Sequence, residues 1–205
     1  MPDLFDAEVG LERIVLPDGD MRFQKGFLGT RAAEQLFDEL YRDVPWRDEQ
    51  ITVWGKRHLQ PRRVAWFGDS DARYAYSGLQ MQVNPWTPTL LGLKGLVEEA
   101  CGESFNSVLL NLYRNQNDRM GWHSDNEPEL GAKPTIASVS LGASRMFQMK
   151  HKIRKDVGLK SFELTSGSLL VMAGATQKYW LHSIRKESKH VDSRINLTFR
   201  KIISA

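Results

Sequence analysis

A single cysteine, Cys101, stands in a chain of 205 residues. One thiol excludes a disulfide framework and a zinc-ribbon site, and it fits a reducing compartment. Near a helix end it reads as a small buried apolar side chain. No apolar run approaches the roughly 20 residues that cross a bilayer, and no basic leader precedes an apolar segment at the N-terminus. The expectation is a soluble, cytoplasmic protein without membrane contact. Internal repeats and low-complexity tracts are missing too, so the chain reads as one domain, long enough to bury a core without covalent staples. Net charge is also small: 28 Lys and Arg against 25 Asp and Glu leave +3. It is unevenly spread, however. Residues 1–50 hold 12 acidic and 6 basic side chains, whereas residues 145–201 hold 13 basic and 4 acidic ones. A basic C-terminal half suits a phosphate-backbone partner, although exposed Lys and Arg also serve solubility alone.

What is present begins with Gly121-Trp122-His123-Ser124-Asp125. Two positions apart, His123 and Asp125 point to one face of an extended strand. The third ligand that such a pair needs is found in Tyr179-Trp180-Leu181-His182-Ser183, as His182. Two imidazoles and one carboxylate on one face of an octahedron leave three positions open, which suits a non-haem Fe(II) oxygenase. Near the end of the chain, Arg194, Asn196, Thr198 and Arg200 alternate with Ile195, Leu197 and Phe199. The polar face of that strand either meets water or lines a cavity. Lining a cavity, the two arginines, roughly 20 Å apart along the strand, would lean together and hold both ends of a small dicarboxylate in bidentate pairs.

Elsewhere the elements are ordinary. Leu16-Pro17-Asp18-Gly19-Asp20 is a turn. A helix is expected over 30–41, capped by Thr30, with Leu36, Phe37, Leu40 and Tyr41 facing the core and Pro45 ending the segment. A second runs from Thr87 to Cys101, with Pro88 in its first turn, Leu90, Leu91, Leu93, Leu96 and Val97 facing the core, and Gly102 terminating it. Alternating strands over 105–113, 135–141 and 145–150, with few helices among them, suggest a mixed α+β, mainly β protein. Its core would be a double-sheet jelly roll, with the helices of the first half outside one sheet and the ligand residues on facing strands at the barrel mouth. Residues 51–86 interleave aromatics with Lys and Arg, a composition that stacks on bases while holding phosphates. There Trp54 either tips a hairpin or folds back into the core, and Arg62 and Arg63 are candidate phosphate contacts. His58, His151 and His190 read as ordinary polar residues.

The series His123-x-Asp125, His182 and Arg194-x5-Arg200 resembles the AlkB-type family of Fe(II)/2-oxoglutarate dioxygenases. Within that family it looks most similar to the vertebrate homologue that repairs duplex DNA. The likeness covers about residues 50–202 and includes Asn111-Leu112-Tyr113, Ile136-Ala137-Ser138-Val139-Ser140, Gly167-Ser168-Leu169-Leu170 and Arg194 to Lys201. It implies a cupin-like double-stranded β-helix over 105–202, a nucleotide-recognition lid over 51–86 and an N-terminal extension, 1–50, packed on a single catalytic domain. It implies Fe(II) held by His123, Asp125 and His182. It implies 2-oxoglutarate in a pocket of Asn111, Tyr113, Arg194, Asn196, Thr198 and Arg200, each arginine taking one carboxylate, with O2 as the second co-substrate. The implied reaction is oxidative dealkylation of 1-methyladenine and 3-methylcytosine in DNA, releasing succinate, CO2 and an aldehyde.

The alkylated base would leave the stack to be worked on. Trp54 falls at the position of a wedging aromatic, Tyr76 and Ser77 at an aromatic–serine pair of the base pocket, and Gly55, Lys56, Tyr74, Asn126 and Glu127 nearby. Asn126 stands where the duplex-repairing relative has an acidic residue, and the basic loop 151–160 is shorter than its counterpart, which leaves duplex against single-strand preference open. A monomer is expected. The alternatives are a demethylase of RNA or protein, or a non-catalytic nucleic-acid-binding member of the fold. An intact triad and both arginines favour the enzyme; Trp54 and the basic loops favour nucleic acid over protein.

Overall fold

The computed structural model describes residues 10–53, 56–70, 75–76, 79–80 and 83–203, with the backbone alone for 51–53, 56, 75–76 and 79–80. The first half holds β1 (Glu12–Leu16), β2 (Gly19–Gln24), α1 (Thr30–Asp43), β3 (Gln50–Val53), β4 (Lys56–Leu59), β5 (Arg63–Gly68), β6 (Ala75–Tyr76), β7 (Leu79–Gln80), β8 (Val83–Asn84) and α2 (Pro88–Cys101). The second holds β9 (Ser107–Tyr113), β10 (Met120–His123), β11 (Ile136–Gly142), β12 (Arg145–His151), β13 (Lys160–Leu164), β14 (Ser168–Ala173), α3 (Thr176–Tyr179), β15 (Trp180–Ile184) and β16 (Arg194–Arg200).

Two sheets make the jelly roll. Eight strands in the order β1-β2-β14-β11-β16-β9-β5-β8 form the larger sheet, and β10-β15-β12-β13 form the smaller. The described part of residues 1–50 does more than pack on the core, since β1 and β2 are strands of the larger sheet, paired about Pro17-Asp18. Asp18 takes φ 54 there, a conformation that Asp tolerates in tight turns.

The period-2 patterning of the larger sheet serves two cores. Outward residues such as Leu110, Val139, Val171, Ile195, Leu197 and Phe199 pack with Leu40 of α1 and Leu90, Leu93 and Val97 of α2. Inward residues such as Trp66, Leu109, Tyr113, Ile136 and Met172 meet Phe147, Met149 and Ile184 of the smaller sheet. Both faces of β16 are therefore covered, and all seven of its residues are buried. Its polar face lines the space between the sheets and does not meet water.

The helices lie as expected, with corrections at their edges. Gly29, not Thr30, is the N-cap of α1, and no side chain caps it. The Thr87 side chain accepts from Leu90 N–H at the start of α2, and Gly102 ends that helix at φ 70. Tyr41, Leu91 and Leu96 are exposed, because a helix facing one sheet buries a single stripe and these residues lie off it. Cys101 is buried, which pushes its thiol up to about 11, in keeping with a packing role.

Gly142 closes the tight turn between β11 and β12 at φ +81, where an added Cβ would lie 2.5 Å from Ser193 O and 2.6 Å from a Phe37 ring carbon. The Gly142→Ala variant should lose about 1–3 kcal/mol from its conformation alone, with the clash adding to the loss. Urea unfolding checks this.

Candidate active site

His123 and His182 are a directly opposed pair on adjacent, antiparallel strands, β10 and β15. The expectation that the ligand residues sit on facing strands is corrected: both histidines belong to the smaller sheet, and the larger sheet supplies the arginines opposite. Their rings meet edge to face, with centroids 4.1 Å apart, and Phe147 stacks on His182 at 5.3 Å. Asp125 is not in the same strand as His123, because β10 stops at His123 after a register shift. A short loop brings the carboxylate in, fixed by a hydrogen bond from Asp125 N–H to Gln177 Oε1 at 2.9 Å. Lys152 secures the same loop, its Nζ donating at 2.8 Å to both Ser124 Oγ and the Gln177 carbonyl.

One ligand atom from each of His123, Asp125 and His182 lies within 4.8 Å of the others. The donor set fits iron. Among the described residues, Asp125 Oδ1 and His182 Nδ1 are buried without a hydrogen-bond partner, a costly state that a cation would relieve at the carboxylate. His123 Nδ1 lies 2.8 Å from Gly121 O, so it carries the proton and leaves the lone pair on Nε2. Burial holds both imidazoles below their ordinary range, His182 at about 3 with neighbouring His123 contributing, and Asp125 opposes the shift in each. They are neutral at pH 7, as ligation requires. Burial works to raise Asp125, but Arg200 and then the two histidines outweigh it and bring the carboxyl to about 2.

The pocket above the triad is walled by Leu109, Phe147, Leu164 and Met172 and by the polar face of the larger sheet. Asn111, Tyr113, Arg194, Asn196, Thr198 and Arg200, all singled out from the sequence, line it together. Their partners differ. Arg200 has an anion of the protein's own, donating from Nε and Nη2 to Asp125 Oδ2 at 3.2 and 2.8 Å. Asn196 donates to Ser138 Oγ and accepts from Thr198. Arg194 donates to Ser140 Oγ at 2.9 Å and lies over the Tyr113 ring, while its Nε and Nη1 are buried without a hydrogen-bond partner. Among the described residues, no carboxylate pairs with it. Burial first, then Arg145, presses its guanidinium down to about 10, with Tyr113 opposing. A buried cation so placed is a receptor for an anion.

Three working residues were not read correctly from sequence. Arg62, assigned to phosphate contacts, is buried and donates to Asn111 Oδ1 at 2.7 Å. Arg145 is buried beneath Tyr113, donating to the Asp118 and Arg185 carbonyls. Strand parity carried a signal for Arg145, which shares a face of β12 with Phe147 and Met149, whereas Arg62 lies in the bend before β5. Gln177, in the four-residue α3, left none. His151 stacks on Tyr179 and meets Trp180 edge to face, away from the triad, and His190 is exposed. Asn126 is exposed and accepts from Ser124 Oγ, whereas Glu127 Oε2 is buried without a partner among the described residues. Trp54, Gly55, Tyr74 and Ser77 lie outside the described residues, as do the side chains of Lys56 and Tyr76.

Comparison with known proteins agrees with this geometry. The model of the 2OG-Fe(II) oxygenase superfamily matches residues 20–200. Alpha-ketoglutarate-dependent dioxygenase alkB homolog 3 of Bos taurus is 45% identical over 98% of this chain and 73% of its own length, and the Homo sapiens protein of that name is 40% identical over the same shares. DNA oxidative demethylase ALKBH2 of Homo sapiens is 38% identical over 85% of this chain and 70% of its own. Identity is thus higher to these homolog 3 proteins than to that ALKBH2 protein. The solved structure of OsALKBH1 shares the fold, with a TM-score of 0.62 at 17% identity over 93% of this chain and 100% of that one. The chain belongs to the 2OG-Fe(II) oxygenase superfamily, as an AlkB-type dioxygenase dependent on Fe(II), 2-oxoglutarate and O2.

Proposed function

We propose that this dioxygenase removes alkyl groups from ring nitrogens of nucleic-acid bases, with 1-methyladenine and 3-methylcytosine in DNA as its substrates. The observation that carries the chemistry is the unequal state of two buried arginines on one strand. Arg200 is neutralised by the metal-ligand candidate Asp125, while Arg194 is left without a carboxylate among the described residues. The substrate class is supported by relatives whose names denote DNA oxidative demethylases.

His123, Asp125 and His182 would hold Fe(II), which with 2-oxoglutarate and O2 supplies the oxidation of an N-alkyl carbon and releases succinate, CO2 and an aldehyde. Arg194 would take a carboxylate of the co-substrate in a charge-assisted pair. Asn111, Tyr113, Asn196 and Thr198 give the pocket polar walls, and Arg62 fixes Asn111. Arg200 holds Asp125 by one oxygen, which leaves Oδ1 for the ion. Phe147, Leu109, Leu164 and Met172 keep water from the reacting atoms. Trp54, Gly55, Lys56, Tyr74, Tyr76 and Ser77 would seat the extruded base, with Asn126 and Glu127 beside the metal loop. A methyl group that blocks pairing makes that extrusion cheaper.

The test loads the protein anaerobically with Fe(II) and 2-oxoglutarate, then adds O2 and a 3-methylcytosine oligonucleotide, as DNA and as RNA. Restored cytosine with one formaldehyde per base is expected with DNA. Repair of RNA alone would move the substrate, tight co-substrate binding without repair of either would send it elsewhere, and failure to bind iron would remove the catalytic role.

A further inference from the structure

Beside the metal site, at the Met120–Ile184 end of the β10–β15 ladder, runs an open groove lined by Arg119, Trp122, Arg185, Lys186 and Glu187. Trp122 immediately precedes the ligand His123, and it lines this groove while His123 lines the metal pocket. Its indole is 38% exposed, with Lys150 Nζ 4.6 Å from the ring centroid. Arg119, Lys150, Arg185 and Lys186 are exposed as well. Among the described residues, none of the four has a carboxylate in ion-pair range, and Glu187, the acid in the groove, is engaged 3.6 Å from Arg145 Nε. Met120, Ser183 and Ile184 line both this groove and the metal pocket, so the two adjoin along that strand pair.

From this we infer that the groove binds the single-stranded segment next to the target base, with Trp122 stacking on a flanking base and the cations holding its phosphates. The inference rests on the proposed nucleic-acid substrate. An exposed indole among cations that have no carboxylate partner among the described residues matches the chemistry of single-strand binding, in which a π-face accepts any base and Arg or Lys follow the backbone. The occupant is nucleic acid and not an acidic peptide, because the indole face accepts a base, the cations accept its phosphates, and the groove shares Met120, Ser183 and Ile184 with the pocket that takes the target base.

Equilibrium binding of the Fe(II)- and 2-oxoglutarate-loaded protein, kept anaerobic, to fluorescein-labelled single-stranded DNA of 4 and 12 nucleotides tests this, with and without one 3-methylcytosine. Trp122→Ala should weaken the 12-mer about 5- to 150-fold, the worth of one stacked base, and Trp122→Phe should recover most of that. Charge reversal by Arg185→Glu with Lys186→Glu should make the salt dependence of log affinity shallower by about 1.4, for two lost phosphate contacts on a single strand. Both should flatten the gain in affinity from 4 to 12 nucleotides. Unchanged 12-mer affinity and salt slope in folded variants would overturn the inference and leave Trp122 and Lys150 as partners of each other alone. Wild-type repair measured in parallel separates the failures: no turnover on any oligonucleotide sinks the substrate assignment, while the binding series on unmodified DNA still decides the groove.

Discussion

Replacing Arg194 by Met should weaken 2-oxoglutarate binding by about 30- to 4000-fold while leaving the co-substrate-free protein as stable as before, or more so. The two halves of that expectation have one cause. Truncating one partner of a buried charge pair costs about 2–5 kcal/mol of affinity, because the other charge is left desolvated and unmatched. Without co-substrate, Arg194 is itself a charge with no carboxylate opposite it among the described residues. It is buried, it donates to Ser140 Oγ, and burial with Arg145 nearby presses its guanidinium down to about 10. An apolar side chain of similar volume removes that desolvation penalty, and exchanges of this kind are often neutral or stabilising. Arg194→Lys should rescue little, since an ammonium is a point charge that cannot present the bidentate fork. Anaerobic titration calorimetry and thermal unfolding of the same preparations give both numbers. A variant that unfolds early yet binds 2-oxoglutarate normally would make Arg194 a structural residue and move the anion site.

How much of this was legible in the sequence depends on whether the information is local. The alternation of β16 is local, and it sorted Arg194, Asn196, Thr198 and Arg200 from Ile195, Leu197 and Phe199 correctly. Which surface covers the polar face is not local. A strand with water on one side and a strand with a second sheet on one side have the same period, so only the fold separates the two. Strand pairing fails to be legible for the same reason: His123 and His182 are 59 positions apart, and their direct opposition on neighbouring strands follows from topology. Asp125 shows a subtler limit. Two-residue spacing placed it beside His123 correctly, but by a strand geometry that ends at His123; a loop tied down by Gln177 and Lys152 does the work instead. On α2, five apolar residues within eight exceed what one helix stripe can bury, so Leu91 and Leu96 fall outside it.

The Asp125→Asn variant separates what this carboxylate does for the metal from what it does for the fold. An amide of the same shape offers no charge to Fe(II), so iron affinity should fall by orders of magnitude and turnover should disappear against the assay background. The metal-free protein should suffer too. Arg200 is buried and donates through two nitrogens to Asp125 Oδ2. Removing one member of a buried ion pair leaves an uncompensated charge at a cost of about 3–5 kcal/mol. That loss would be read as a lower urea midpoint, and by itself it would confound any statement about catalysis. The double variant Asp125→Asn with Arg200→Met resolves the ambiguity, because it removes both charges together. Its stability should return most of the way to the wild-type value, since the pair's mutual attraction chiefly offsets its own desolvation, whereas iron binding and turnover should stay lost. If the double variant regains neither stability nor metal, the pair is holding the β16 end of the pocket in shape. If it regains activity along with stability, Asp125 is not a ligand, and the two histidines must find their third donor elsewhere.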